Sequence, residues 1–221
     1  MRIACLQFAP KLGDVDNNLN RADAVLSKGN PNYLDLIVLP ELAFTGMWYL
    51  LHYFLYLLLS YHALLAYSST AFSYPAPEAD LSDSAGFNFK SLQQITPHLE
   101  PKGSGITSLW ARTVALKYDC VVCAGYPEMV DVSKKWPTGP EYYNSTIVVN
   151  GEGETIGNYR KSFLYTDEKW ALEGPKGFYS DCIPGLGNTA IGMCKLRMFP
   201  IVIVSQLTHS GRYGSKVSYN V

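Results

Sequence analysis

Three stretches near the start of the chain restrict the fold more than anything that follows. Residues 3–8 read as a short apolar strand, and residues 17–27 read as a helix with Leu19, Ala22, Ala24, Val25 and Leu26 available for its buried side. Gly29-Asn30-Pro31-Asn32 stops that helix, and residues 35–39, Asp-Leu-Ile-Val-Leu, return as a second strand. A strand, a crossing helix and a second strand form the unit of a parallel sheet covered on both faces, so an α/β protein is expected. The second strand runs into Leu39-Pro40-Glu41-Leu42-Ala43-Phe44-Thr45-Gly46. A carboxylate at the end of a buried strand is costly unless it is paired or put to use.

Later stretches supply a lysine and a cysteine in matching settings. Residues 106–118 repeat the helical pattern, and residues 120–126, Cys-Val-Val-Cys-Ala-Gly-Tyr, read as a buried strand followed by Pro127-Glu128. The Cys120-x-x-Cys123 spacing has no second cysteine pair or histidine cluster beside it, so it reads as two small apolar residues rather than a redox or zinc site. Residues 143–150 and 155–160 form the arms of a hairpin about Gly151-Glu152-Gly153-Glu154, and Lys161 follows its return strand. Residues 189–193 are a short apolar run that delivers Cys194. Asn144-Ser145-Thr146 fits a glycosylation sequon but reads as polar sequence at a strand edge. Cys5 and Cys182 have no comparable setting and are read as structural.

Composition narrows the partners. With 221 residues, 48% of them hydrophobic and 17% charged, the chain can build one sizeable core. A net charge of −1 from 18 basic and 19 acidic side chains gives no electrostatic case for nucleic acid. Five cysteines without disulfide-scaffold spacing and an N-terminus unlike a signal peptide point to the cytosol or nucleus.

Taken together, Leu39-Pro40-Glu41 with Phe44-Thr45-Gly46, Tyr159-Arg160-Lys161 with Phe163-Leu164-Tyr165, and Ile191-Gly192-Met193-Cys194 resemble the motifs of the nitrilase, or carbon-nitrogen hydrolase, superfamily. Phe87-Asn88-Phe89-Lys90-Ser91-Leu92, Ser108-Leu109-Trp110-Ala111-Arg112 and Gly125-Tyr126-Pro127-Glu128 are similar to its fungal protein N-terminal amidase branch. The resemblance implies an α-β-β-α four-layer sandwich, commonly paired into a homodimer through outer helices. It implies a Glu41, Lys161, Cys194 triad acting through a thioester, Glu128 as an auxiliary carboxylate that positions the lysine or a substrate amine, and no cofactor or metal. The implied substrate is the side-chain amide of an N-terminal Asn or Gln, in the N-degron pathway. The alternatives are a small-molecule amidase of another nitrilase branch and a membrane-anchored, non-catalytic protein.

The chemistry suits these residue types independently of any family. Amide hydrolysis needs a nucleophile, a proton shuttle and a positive group for the oxyanion, and thiol, carboxylate and ammonium meet those needs in turn.

Two segments depart from the pattern. Residues 47–72 carry no Asp, Glu, Lys or Arg, long enough for a membrane span but without flanking basic residues, and residues 47–86 interrupt the 1–194 hydrolase domain as an apolar insertion. Residues 195–221 form a divergent tail. Gly46-Met47-Trp48 and Cys194-Lys195 both permit codons resembling splice donors, so retained intron sequence is expected at each place, and with it a sandwich incomplete at its C-terminal side and weakly active.

Overall fold

The computed structural model describes residues 1–46, 89–132, 139–164, 168–175, 177 and 179–193, together with the backbone of 201–206. The insertion at 47–86, Cys194 and most of the tail therefore lie outside the described residues.

The opening unit forms as the sequence suggests. Strand β1 (Ile3–Cys5) pairs in parallel with β2 (Leu36–Val38), and helix α1 (Val15–Gly29) crosses between them. Asn18, Ala22 and Leu26, spaced by four, are the buried line of α1, and Asn30 ends the helix in the left-handed conformation at φ 37°. Helix α2 (Ile106–Tyr118) follows the short β3 (Glu100–Pro101). The buried Glu100 carboxylate accepts from the Thr107 amide at 2.9 Å and its hydroxyl at 2.7 Å, satisfying donors at the helix start.

Next come β4 (Val121–Val130), β5 (Glu141–Val149) and β6 (Thr155–Arg160). The first sheet runs β1-β2-β4-β5-β6, with β3 alongside β4; the β1-β2 and β2-β4 pairs are parallel, and β4-β5-β6 is an antiparallel meander. A second sheet holds β7 (Tyr179–Ile183), β8 (Gly187–Met193) and β9 (Ile201–Gln206) in antiparallel order. β9 draws on the apolar run that follows Cys194 in the sequence.

Alternation along the central strands separates two cores. Ile37, Val122, Ala124, Ile147 and Val149 pack against α1 and α2 through Ala22, Leu26, Ala111 and Val114. Leu36, Val121, Cys123, Val148 and Tyr159 face the second sheet through Ile183, Leu186, Ile191 and Met193. Helix, sheet and sheet are three layers of the expected α-β-β-α sandwich, an α/β architecture. The outer face of the second sheet, including exposed Ser180 and Cys182, carries no helix among the described residues. Cys120 belongs to the helix-side core and Cys123 to the inter-sheet core, so the Cys-x-x-Cys spacing places two thiols apart rather than together. Cys5 and Cys182, expected to be structural, are both exposed free thiols on the edge strands β1 and β7.

Candidate active site

The turn that carries Glu41 is fixed from three sides. The Leu39 amide donates to the Cys123 carbonyl at 2.9 Å, which extends the β2-β4 pairing by one residue. The Asn18 side chain donates to the carbonyls of Phe44 and Lys11 at 2.8 and 2.7 Å, tying the turn to α1. Gly125 lies directly beneath: a Cβ there would stand 2.8 Å from the Leu42 nitrogen and 2.9 Å from Glu41 Cα. Only a glycine allows the turn to lie this close to β4. Leu42 holds φ 47°, an uncommon conformation for a branched side chain, immediately after the carboxylate.

Lys161 reaches the same face of the sheet from the end of β6, at the opposite edge from β1. Its amide continues the β5-β6 ladder, donating to the Asn144 carbonyl at 2.8 Å. The segment after it folds back: the Gly174 amide donates to the Lys161 carbonyl at 2.8 Å, and the Leu172 amide to the Tyr142 carbonyl at 2.8 Å. This fold-back brings in Glu168.

The four side chains meet in a closed ring. Lys161 Nζ donates to Glu41 Oε1 at 2.6 Å and to Glu168 Oε2 at 2.8 Å. The Asn144 side-chain amide donates to Glu41 Oε1 and to Glu168 Oε1. All four residues are at most 4% exposed. Burial drives the Glu41 carboxyl up to about 7, the Lys161 ammonium opposes the rise, and Glu168 adds to it. Burial alone would lower Lys161, but the two adjacent carboxylates outweigh it and hold the amine above its usual range. The result is a permanent cation beside a carboxyl that exchanges its proton near neutrality. No group of three His, Cys, Asp or Glu side chains among the described residues is arranged to hold a metal ion.

Of the residues singled out in the sequence, Glu41 and Lys161 are brought together. Cys194 lies outside the described residues, but Met193, just before it, is buried in the inter-sheet core with Tyr159, two positions before Lys161. Glu128 is on a different side of the sheet from the lysine. Arg160 and Lys161 are neighbours in a pleated chain, so their side chains diverge: Arg160 takes Glu128 through paired bonds at 2.9 and 2.8 Å, and Lys161 takes Glu41 and Glu168. Ser145 and Asn158 also donate to Glu128, at 2.6 and 3.0 Å. Of the two roles expected for Glu128, positioning the lysine or a substrate amine, the first is filled by Glu168, which touches Lys161 where Glu128 does not. Asn144 likewise departs from expectation. It lies on β5, interior to the sheet, and Asn144, Ser145 and Thr146 are wholly buried rather than at an edge. The only hint of Glu168 in the sequence is a carboxylate seven positions past Lys161.

The molecule is an α/β layered sandwich that holds a buried carboxylate-ammonium pair just beyond the ends of β2 and β6. The carbon-nitrogen hydrolase family model matches residues 2–205, and the chain belongs to that family, whose members are hydrolases acting on carbon-nitrogen bonds. Within the family it is related to the fungal N-terminal amidases. It is 28% identical over 184 residues to the protein N-terminal amidase of Saccharomyces cerevisiae, covering 80% of this chain and 30% of that protein. With the protein N-terminal amidase of Schizosaccharomyces pombe it shares 29% over 200 residues, covering 88% and 54%. The chain thus spans between about a third and about a half of the length of these relatives. A crystal structure of an N-terminal amidase with an Asn-Glu-Ala peptide superposes with a TM-score of 0.58 at 25% identity, covering 92% of this chain and 38% of that one. The nitrilase-superfamily member Nit3 of Saccharomyces cerevisiae, at TM-score 0.52 and 18% identity over 87% of this chain and 54% of that one, shares the fold.

Proposed function

We propose that this chain carries the machinery of a thiol-dependent amidohydrolase, directed at the side-chain amide of an N-terminal Asn or Gln. The observation that carries the reading is the buried pairing of Glu41 with Lys161, 2.6 Å apart. A carboxyl that titrates at about 7 can take a proton from a thiol and return it within one cycle. In this reading Glu41 accepts the Cys194 proton, and the thiolate attacks the carboxamide carbon while Lys161 faces the developing oxyanion. Collapse breaks the C–N bond, and the departing ammonia takes the proton from Glu41. Water, deprotonated by the same carboxylate, then splits the thioester into the acid and the free thiol. Action at protein N-termini is supported by the names of the two fungal relatives, and an N-terminal Asn by the relative solved with an Asn-Glu-Ala peptide.

Ammonia release from an Asn-initiated tripeptide tests the reading, with a free ω-amide of the same size as the comparison. Slow turnover, in keeping with a shortened sandwich, is expected with the peptide and is expected to be lost in Cys194→Ala. Equal turnover of the free amide would move the substrate to small molecules, and turnover surviving Cys194→Ala would remove the thiol from the mechanism.

A further inference from the structure

We propose that Asn144 is a positioning residue of this site: its side-chain amide clamps Glu41 and Glu168 about the Lys161 ammonium and fixes which oxygen of Glu41 faces the chemistry. The inference deepens the amidohydrolase reading, and its kinetic part rests on that reading.

The geometry is a four-membered cycle. Lys161 Nζ touches Glu41 Oε1 and Glu168 Oε2, and the Asn144 amide nitrogen touches Glu41 Oε1 and Glu168 Oε1. Both bonds at Glu41 fall on Oε1, which leaves Oε2 outside the cycle as the oxygen that takes and gives protons. Two carboxylates and one ammonium carry a net negative charge when all are ionised, and no member of the cycle is more than 4% exposed. The amide offsets part of the excess, since it adds two oriented donors without adding charge. Both of its partners are pure acceptors when ionised, so the nitrogen must face them and the carbonyl oxygen must turn away.

That orientation has a cost visible in the structure. Asn144 Oδ1 is buried without a hydrogen-bond partner among the described residues. An asparagine selected only to stabilise a strand would pair both ends, since an orphaned buried acceptor is unfavourable. Here one end stays unpaired so that the other can hold two carboxylates. The backbone secures the placement: the Asn144 carbonyl accepts from the Lys161 amide at 2.8 Å, coupling clamp and cation through one strand pair.

The test uses Asn144→Leu, which removes both donors at similar size, and Asn144→Ser, which keeps one hydroxyl donor. Glutamate carboxyl carbons are labelled in a Cys194→Ala background, and Glu41 is followed by NMR titration, assigned through its loss in Glu41→Gln. The expected result is a Glu41 midpoint moved upward by at least half a pH unit in Asn144→Leu and by less in Asn144→Ser. With the thiol intact, kcat for the Asn-initiated peptide is expected to fall roughly 10- to 100-fold with KM little changed, and the acidic limb to move with the midpoint. A midpoint that stays put in either folded variant overturns the proposal. If neither variant folds, the residue is structural and the proposal falls as well. An intact enzyme that releases no ammonia contradicts the amidohydrolase reading alone, because the titration still decides the clamp.

Discussion

Glu41 and Lys161 would each be expensive to bury alone, and their proximity removes most of that expense without removing all of it. The remainder sits on Glu41, whose carboxyl is raised from 4.5 to about 7 chiefly by burial. A carboxyl raised in the folded state contributes stability fully present below its unfolded value and lost as pH rises through the folded one. The wild type is therefore expected to lose stability between about pH 4.5 and 7 relative to Glu41→Gln, which denaturant unfolding across that window measures. The same group predicts an acidic limb in kcat/KM near pH 7, since the free enzyme needs the ionised base. Glu128 has the opposite sign. Burial pushes it up, but Arg160, Ser145 and Asn158 more than reverse that and leave it below 4.5. Its contribution is present above pH 4.5 and lost as pH falls through the lowered value. Glu128→Gln is expected to cost about 3 kcal/mol at neutral pH, read by chemical denaturation, with the deficit shrinking in acid. Glu41 and Lys161 were legible in the sequence because each follows a strand pattern. Glu168 and Asn144 were not, because one depends on a loop folding back and the other reads as polar sequence at a strand edge until its neighbours in space are known.

Among the elements, β5 and β6 make the division that the site depends on. One face of this pair holds Tyr159, Asn144 and Lys161 toward the second sheet, and the other holds Ser145, Asn158 and Arg160 around Glu128. Adjacent residues thus serve different networks, and linear spacing alone could not assign Glu128 to its face. The Glu41 turn is equally a product of its underlying strand. Gly125→Ala would drive a methyl into backbone atoms at 2.8 and 2.9 Å, and is expected to lower stability by about 1–3 kcal/mol and to reduce turnover by displacing Glu41. Thermal unfolding and peptide turnover check the two parts separately. Most elements match their sequence patterns: the α2 bounds coincide, and β6 begins and ends where the hairpin was read. β7 went unseen because Tyr-Ser-Asp-Cys-Ile has no clear alternation and becomes a strand only through pairing with β8.

The molecule joins two sheets with the long helices α1 and α2 into three described layers, and the candidate site lies just beyond the ends of β2 and β6. Both ends of the apolar insertion lead to one place, since Leu42 before it and Phe89 after it pack in the same cluster with Ile95 and Trp170. Removing residues 47–86 is therefore expected to leave the fold intact and Tm unchanged or higher, which calorimetry on the shortened chain checks. The segment was also read as a membrane span. No helix among the described residues is long and apolar enough to cross a membrane, and residues 47–72 lie outside them. Carbonate-resistant membrane association of the full chain, lost on deleting that stretch, would favour the anchored alternative. The account as a whole turns on a thiol that forms a covalent acyl intermediate beside Glu41 and Lys161. Rapid quenching of the full chain with an Asn-initiated peptide, followed by intact-mass and fragment analysis, addresses that directly. The account predicts an adduct of the peptide's mass less one ammonia, mapped to Cys194 and absent in Cys194→Ala; ammonia released with no adduct, or with the adduct on another residue, would contradict it.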